Sequence, residues 1–151
     1  MISFRKINNK NIWDVSILSD GNNNEKYIDF SYNILIDALI SNKMNNFYAI
    51  YYENIAIGLI YFYKIKKTIW INSFMIDKKY QGKGYGKKSL IKLLNFIKSN
   101  YEFNKIELST CNPIAMKLYQ SIGFKKYNNK RCRKFFDKNN EYLFTLRNTS
   151  R

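Results

Sequence analysis

Apolar residues recur along the chain with two different periods, and the change between them predicts the secondary structure. From Leu90 to Ile97 they recur at the spacing of one helix face. Between Phe47 and Ile76 they form strand-length runs with short polar connections, which indicate antiparallel pairing. The predicted strands are Ile2–Ile7, Phe47–Glu53, Ile55–Tyr63, Thr68–Ile76, Lys105–Thr110, Lys130–Phe136 and Glu141–Leu146. The predicted helices are Asn8–Leu18, Phe30–Ile40, one that carries Leu90–Ile97 and ends near Ser99, and one from Asn112 to Gly123.

The element order β-α-α-β-β-β-α-β-α-β-β predicts an α/β fold, in the sense of an α+β mixed sheet that is mostly antiparallel. A helix separates Thr68–Ile76 from Lys105–Thr110, so these two strands are expected to be parallel neighbours in a βαβ unit. No internal repeat or linker interrupts the pattern. Residues 1–151 are therefore expected to form a single domain.

The composition is that of a folded domain, with 46% hydrophobic residues, 17% aromatic residues and one proline. The N-terminus has no apolar leader, and no apolar run approaches the ~18 residues that a membrane helix needs. We therefore expect no membrane association and a cytoplasmic location. Two cysteines and no histidine provide neither a disulfide framework nor a Cys/His zinc set, and no metal is expected.

The formal charge is +15, from 26 Lys and Arg against 11 Asp and Glu. Such an excess can indicate a nucleic-acid partner, and the segment Lys125–Lys134 is the densest basic patch. Lysine and asparagine are nevertheless abundant in every part of the chain, which favours a compositional origin of the charge. A nucleic-acid partner is the less favoured of the two interpretations.

The absence of histidine restricts the chemistry. It removes the commonest general base, and with it the Ser-His and Cys-His nucleophile systems. Any reaction must use Tyr, Asp, Glu, Lys, water or backbone groups.

The segment Asp77–Lys88 holds three of the six glycines, Gly82, Gly84 and Gly86, between a strand and a helix. Free N–H groups and the dipole at a helix start favour phosphate, and glycine lets the backbone approach a ligand closely. The glycine spacing fits neither a Walker A loop nor a dinucleotide fingerprint. The ligand is therefore expected to be a phosphate compound of another class.

Two segments resemble the GNAT superfamily of N-acetyltransferases. Gln81, Gly84 and Gly86 match its motif A, and Asn112–Phe124 matches its motif B one strand downstream. The resemblance implies a GNAT-like fold over essentially the whole chain, acetyl-CoA as co-substrate and transfer of an acetyl group to an amine.

Within the superfamily, Phe74–Lys88 is similar to the bacterial spermine/spermidine (diamine) acetyltransferase branch, as is Glu25–Asp29. This implies a small-molecule primary amine as partner, with a polyamine preferred. The alternatives are an N-terminal or lysine acetyltransferase of proteins, an antibiotic (aminoglycoside-like) acetyltransferase, and a non-enzymatic nucleic-acid-binding module. A homodimer is possible, because many relatives dimerise.

The resemblance also implies roles for individual residues. Tyr119 is the candidate acid for the leaving thiolate, although a tyrosine packed on its helix is the alternative. The lysines near the glycine turn could equally be solvated surface. Candidate cofactor-binding residues are Phe74, Met75, Ile76, Gln81, Gly82, Lys83, Gly84, Tyr85, Gly86, Lys87 and Asn112, and candidate substrate-binding residues are Glu25, Tyr27, Asp29 and Asn72.

The sequence does not single out one residue as the general base. The strand Thr68–Ile76 has no carboxylate, and Asn72 stands where the polyamine branch tends to carry an acid. Glu53 and Glu107 are possible bases, and a water chain to solvent is preferred. Asp20, Glu25 and Asp29 could attract a cationic amine, or could be acids favoured near a helix start.

Overall fold

In the computed structural model, seven strands form one sheet among the described residues, which are 1–21, 36, 46–127 and 141–149. The strand order is β1-β2-β3-β4-β5-β7-β6. The strands are β1 (Ile2–Lys6), β2 (Phe47–Tyr52), β3 (Ile55–Ile65), β4 (Thr68–Ile76), β5 (Lys105–Thr110), β6 (Lys125–Tyr127) and β7 (Tyr142–Arg147). The helices are α1 (Ile12–Ser16), α2 (Tyr85–Asn100) and α3 (Pro113–Ser121), with a 3-10 turn at Lys78–Tyr80.

The predicted fold class is confirmed. All neighbouring strands that the structure describes pair antiparallel except β4 and β5, which are parallel and joined through α2. A parallel pair needs such a crossover because the chain must return to the same end of the sheet. Within the described ranges, no helix is both long and apolar enough to cross a membrane.

The first helix is shorter than the predicted Asn8–Leu18. The Asn11 side chain accepts the Asn8 N–H at 2.9 Å and donates to the Lys6 carbonyl at 3.1 Å, which closes a turn before the helix. Asparagine competes in this way with helical backbone bonding. The predicted helix Phe30–Ile40 lies, apart from Ile36, outside the described residues.

The edge strand next to β7 was not predicted. Strand β6 begins at Lys125 and pairs with β7 at the edge of the sheet, where no strand was predicted. Lys125 and Lys126 are exposed, so β6 carries no apolar alternation that a sequence reading could detect. The predicted strand Lys130–Phe136 and most of the basic segment Lys125–Lys134 lie outside the described residues.

Two apolar clusters pack on the two faces of the sheet. On one face, α2 and α3 bury residues such as Leu90, Leu93 and Tyr119 against the central strands. On the other face, Val15 of α1 packs with residues that include Phe47 and Met75. We call these the α2–α3 face and the α1 face.

Asn72 forms a β-bulge in β4. Ser73 pairs with Tyr61, whereas Ile71 pairs with Phe62, so Asn72 has no partner on β3. The extra residue shifts the alternation of side chains. Ile69 and Ile71 before it, and Ile76 after it, therefore all belong to the α2–α3 core, while Met75 packs on the α1 face.

Gly58 lets β3 approach β4 closely at the C-terminal end of β4, where Gly58 pairs with Ile76. A Cβ at position 58 would lie 2.1 Å from the Met75 carbonyl oxygen. Backbone cannot rotate away as a side chain can, so only glycine fits.

We expect Gly58→Ala to lower the free energy of unfolding by at least about 2 kcal/mol, because the added methyl forces the two strands apart. The midpoint of urea unfolding measures this change. Gly86→Ala is the matched control, because its Cβ would meet Leu118 at an ordinary 3.6 Å. Equal midpoints for the Gly58 variant and the unaltered protein would contradict the close approach.

Candidate active site

A gap opens between β4 and β5. Their ladder consists of the pairs Thr68–Lys105, Ile69–Ile106 and Trp70–Glu107, and β4 then continues to Ile76 without β5 as a partner. The pairing ends two residues before the bulge at Asn72. The gap contains a cavity of about 160 Å³. It is lined by Asp20, Ile71, Asn72, Phe74, Met75, Ile76, Gln81, Leu108, Ser109, Thr110, Asn112, Ala115, Tyr119 and Glu141.

The backbone of β4 presents polar groups to this gap. The Asp77 N–H donates to the Ile57 carbonyl at 2.8 Å, so the peptide groups of Asp77 face β3. Because orientation alternates along a strand, those of Ile76 and Phe74 face away from β3, into the gap. The Ile76 carbonyl indeed accepts a bond from the Gln81 side chain at 2.9 Å on that side.

Tyr119 lies at the α2–α3 side of the gap. It is 6% exposed, and its ring lies 5.8 Å from Phe124 and 6.2 Å from Phe144, centroid to centroid. Burial raises the pKa of the Tyr119 phenol well above its usual value of 10.0. The side chain is thus a protonated donor in an apolar wall.

Helix α3, which carries Tyr119, begins as the sequence predicted. The Asn112 carboxamide oxygen accepts the Ile114 N–H at 2.9 Å and the Ala115 N–H at 3.4 Å, and Pro113 occupies the first turn. Gly123 ends the helix with a φ of 102°. Both ends are therefore held by local chemistry, which sets the position of Tyr119.

The glycine turn, residues 81–86, connects β4 to α2. Gly82 and Gly84 have φ values of 73° and 79°, a region that favours glycine. Gly84 is the N-cap of α2 and supplies no side-chain hydrogen bond to the first turn. The first N–H groups of α2 are consequently available to an anion.

Asp77 and Gln81 tie the glycine turn to the loop after α1. The buried Asp77 carboxylate accepts the Ser19 N–H at 3.0 Å and the Lys79 N–H at 2.9 Å. The Gln81 side-chain amide donates to the Asp20 carbonyl at 3.1 Å as well as to Ile76. The backbone N–H of Gln81 donates to the Lys78 carbonyl at 3.3 Å. The backbone N–H groups that are available to a ligand therefore lie after Gln81 in the sequence.

The lysines of the turn differ in their surroundings. The Lys83 ammonium donates to the Lys79 carbonyl at 2.9 Å, beside the 3-10 turn. Lys87 and Lys88 are exposed on the first turn of α2. All three contribute positive charge near the free amides.

Glu107 and Glu53 are not among the residues that line the gap. Glu107 accepts bonds from Lys105 Nζ and Tyr127 Oη, both at 2.6 Å, on the α1 face. Glu53 lies in the turn between β2 and β3 with a φ of 57°. Neither carboxylate is placed to take a proton in the gap.

Within the described part of the chain, the acidic residues that line the gap are Asp20 and Glu141. Glu141 was missed by the sequence analysis because nothing local distinguishes it; only the pairing of β7 with β5 brings it there. Asn72 lines the gap, and its role in substrate binding stays a prediction. The candidates Glu25, Tyr27 and Asp29 lie outside the described residues.

Solved structures share this fold. An acetyltransferase of the GNAT family from Bacillus anthracis superposes with a TM-score of 0.73 at 19% identity, over 97% of this chain and 94% of that chain. The spermidine N-acetyltransferase from Vibrio cholerae, solved with CoA and spermine, superposes with a TM-score of 0.68 at 18% identity. That superposition covers 84% of this chain and 82% of the other.

The sequence identifies the family as well as the fold. Residues 13–124 match the profile of the acetyltransferase (GNAT) family, and the chain belongs to that family. The membership predicted from the two motifs is confirmed.

The predicted resemblance to the polyamine branch is also confirmed, over part of the chain. A probable spermine N(1)-acetyltransferase of Bacillus subtilis subsp. natto is 45% identical over 58 residues. This stretch is 37% of the present chain and 38% of the relative's length.

The buried phenol predicts a pH dependence of stability. The unfolded chain releases the Tyr119 proton near pH 10, whereas the folded chain retains it, so this contribution is complete below pH 10 and is lost as the pH rises beyond it. Between pH 8 and pH 11, Tyr119→Phe should lose about 1 kcal/mol less unfolding free energy than the unaltered protein. Urea unfolding at both pH values measures the difference, and parallel losses would contradict the burial of an intact phenol.

Proposed function

We propose that this protein is an acetyl-CoA-dependent N-acetyltransferase that acts on a primary amine of a small molecule, with a polyamine as the preferred acceptor. The observation that carries the proposal is the gap between β4 and β5. It combines an open strand backbone, uncapped amides at a helix start and a buried phenol. Each of these groups has a separate task in acetyl transfer.

The fit of coenzyme A rests on two sets of backbone groups. The pyrophosphate is assigned to the amides that follow Gly84 at the start of α2, where Lys87 and Lys88 add charge. The pantetheine arm is assigned to the gap-facing edge of β4, at Phe74 and Ile76. Asn112, whose carboxamide caps α3, lines the same cavity.

The bound cofactor supplies an acetyl group as a thioester. One backbone N–H of this edge, that of Phe74 or of Ile76, can donate to the carbonyl oxygen as it gains negative charge, an effect worth ~3 kcal/mol in other acyl-transfer sites. The acceptor nitrogen forms its bond to the carbonyl carbon while the carbon–sulfur bond breaks. Tyr119 gives its proton to the departing sulfur and regains one from water. The acceptor nitrogen gives two protons to water, one from its ammonium form before it attacks and one as the amide forms, and one of these replaces the proton that Tyr119 has donated.

The raised pKa of Tyr119 bears on this role. A phenol that stays protonated is ready to donate at any pH below 10, but it is a weaker acid than an exposed tyrosine. Burial beside Tyr119 would also raise the pKa of a thiol by desolvating its thiolate, so the acid and its acceptor shift in the same direction.

The preference for a polyamine is supported by relatives. The partial relative is named as a spermine acetyltransferase, and one of the structural neighbours was solved with spermine. Asn72 departs from the polyamine branch, but Asp20 and Glu141 supply carboxylates within the same gap. Cytoplasmic location and homodimer formation stay predictions.

The function is tested by incubating the purified protein with acetyl-CoA and a panel of acceptors, while free thiol and product mass are followed. We expect turnover of spermidine or spermine, and little with peptides or aminoglycosides. Efficient turnover of a peptide would instead support a protein acetyltransferase. Failure to bind CoA in calorimetry would overturn every acetyltransferase interpretation, and salt-sensitive DNA binding without turnover would support the nucleic-acid alternative.

Tyr119→Phe should lower kcat by roughly 10²–10⁴-fold, because it removes the proton donor to the thiolate and leaves the packing intact. CoA affinity, measured by calorimetry, should stay nearly unchanged. Tyr101→Phe is the matched control, because the Tyr101 hydroxyl donates to Asn46 at 2.8 Å and does not line the gap. An unchanged kcat in the Tyr119 variant would remove Tyr119 from the acid role.

A further inference from the structure

We propose that Glu141 determines the specificity for a dicationic acceptor, by binding the ammonium group that does not react. This inference rests on the proposed function and assigns the acceptor side of the gap. Neither the motifs nor the similarity to relatives identifies Glu141. Glu141 is identified by its position directly before β7, which pairs with β5.

Glu141 directly precedes β7, whose first residue, Tyr142, pairs with Thr110 at the end of β5. Thr110 and Glu141 both line the gap. The register therefore places Glu141 at the rim of the gap, where β5 ends and no longer separates β4 from β7.

Alternation along the strands gives the face on which Glu141 lies. Phe144 packs against Tyr119 on the α2–α3 face, so Leu143 lies on the opposite face, and Glu141 has the parity of Leu143. Ser109 shares this face, since its neighbour Leu108 belongs to the α2–α3 core. Tyr119 and Glu141 thus line the gap from opposite faces of the sheet.

Opposite faces imply opposite routes of entry. Tyr119 and the amides of α2 belong to the α2–α3 side, which the proposed donor occupies. The acceptor must then reach the thioester from the α1 face, past Glu141. Asp20, which follows α1, lines the same cavity.

The charges of the gap favour a cation there. Among the residues that the structure describes, its lining includes two acidic residues, Asp20 and Glu141, and no Lys or Arg. Glu141 has no ion pair with any of the residues described. In a chain of formal charge +15, this carboxylate-lined rim is a local site for positive charge against the overall field.

The reacting amine must lose its proton before it attacks, so it cannot keep a lasting ion pair. A second ammonium on the same molecule stays charged and can form a charge-assisted hydrogen bond with Glu141. A monoamine of equal length has no such group. The difference in kinetics between the diamine and the monoamine therefore measures the contact between Glu141 and the second ammonium.

The test compares 1,6-diaminohexane with hexylamine for the unaltered protein and for Glu141→Gln. We expect the substitution to raise the KM for the diamine 10- to 100-fold with little change in kcat, and to leave the hexylamine kinetics unchanged. Glu102→Gln is the matched control: it removes the same charge from an exposed side chain that pairs with Lys67 at 3.2 Å, outside the gap. It should alter neither acceptor's kinetics.

CoA affinity and circular dichroism establish that the Glu141 variant is folded. Unchanged diamine kinetics in this variant would overturn the assignment, as would an equal loss with both amines, which would mean contact with the reacting nitrogen. A similar rise in KM in Glu102→Gln would reduce the effect to net charge and overturn it too. If the unaltered protein binds CoA but acetylates no amine of any kind, the proposed function fails and this inference fails with it.

Discussion

The separation of β4 from β5 is the constraint on which the site depends. The two strands pair as far as Trp70. The extra residue Asn72 then bends β4 and shifts the alternation of its side chains between the two faces of the sheet. In a continuous sheet, the N–H and C=O groups of Phe74 and Ile76 would be hydrogen-bonded to a neighbouring strand. Here they face a cavity, so backbone that normally holds a sheet together is available to a ligand.

The rest of the molecule keeps this open edge in place. On one side, Gly58 allows β3 to approach β4 so closely that a single methyl group would not fit. At the end of β4, Asp77 and Gln81 attach the glycine turn to the loop after α1 through two hydrogen bonds, one with the Ser19 N–H and one with the Asp20 carbonyl. The groups proposed for catalysis are therefore held before any ligand arrives, which spares the cost of ordering them during binding.

Charge acts on two scales in this protein. The formal charge of +15 attracts an anionic cofactor and repels a polycation at long range, but salt screens both effects beyond about 8–10 Å. Within that distance the local groups decide. The amides and lysines at the start of α2 suit phosphate, whereas Asp20 and Glu141 suit an ammonium.

The sequence by itself determined whatever depends on neighbours along the chain. The cap of α3 by Asn112, the positive φ values of the glycine turn and the bounds of β4 and β5 follow from local hydrogen bonding, backbone sterics and period. The parallel pair was predicted from the helix between the two strands, and the family was predicted from the resemblance of two local segments to its motifs. Only the tertiary structure decided the bulge at Asn72, the edge strand β6 and the arrival of Glu141 at the gap. Each of these depends on the register between strands distant in sequence, and register leaves no local signal when the residue concerned is polar and exposed on one face.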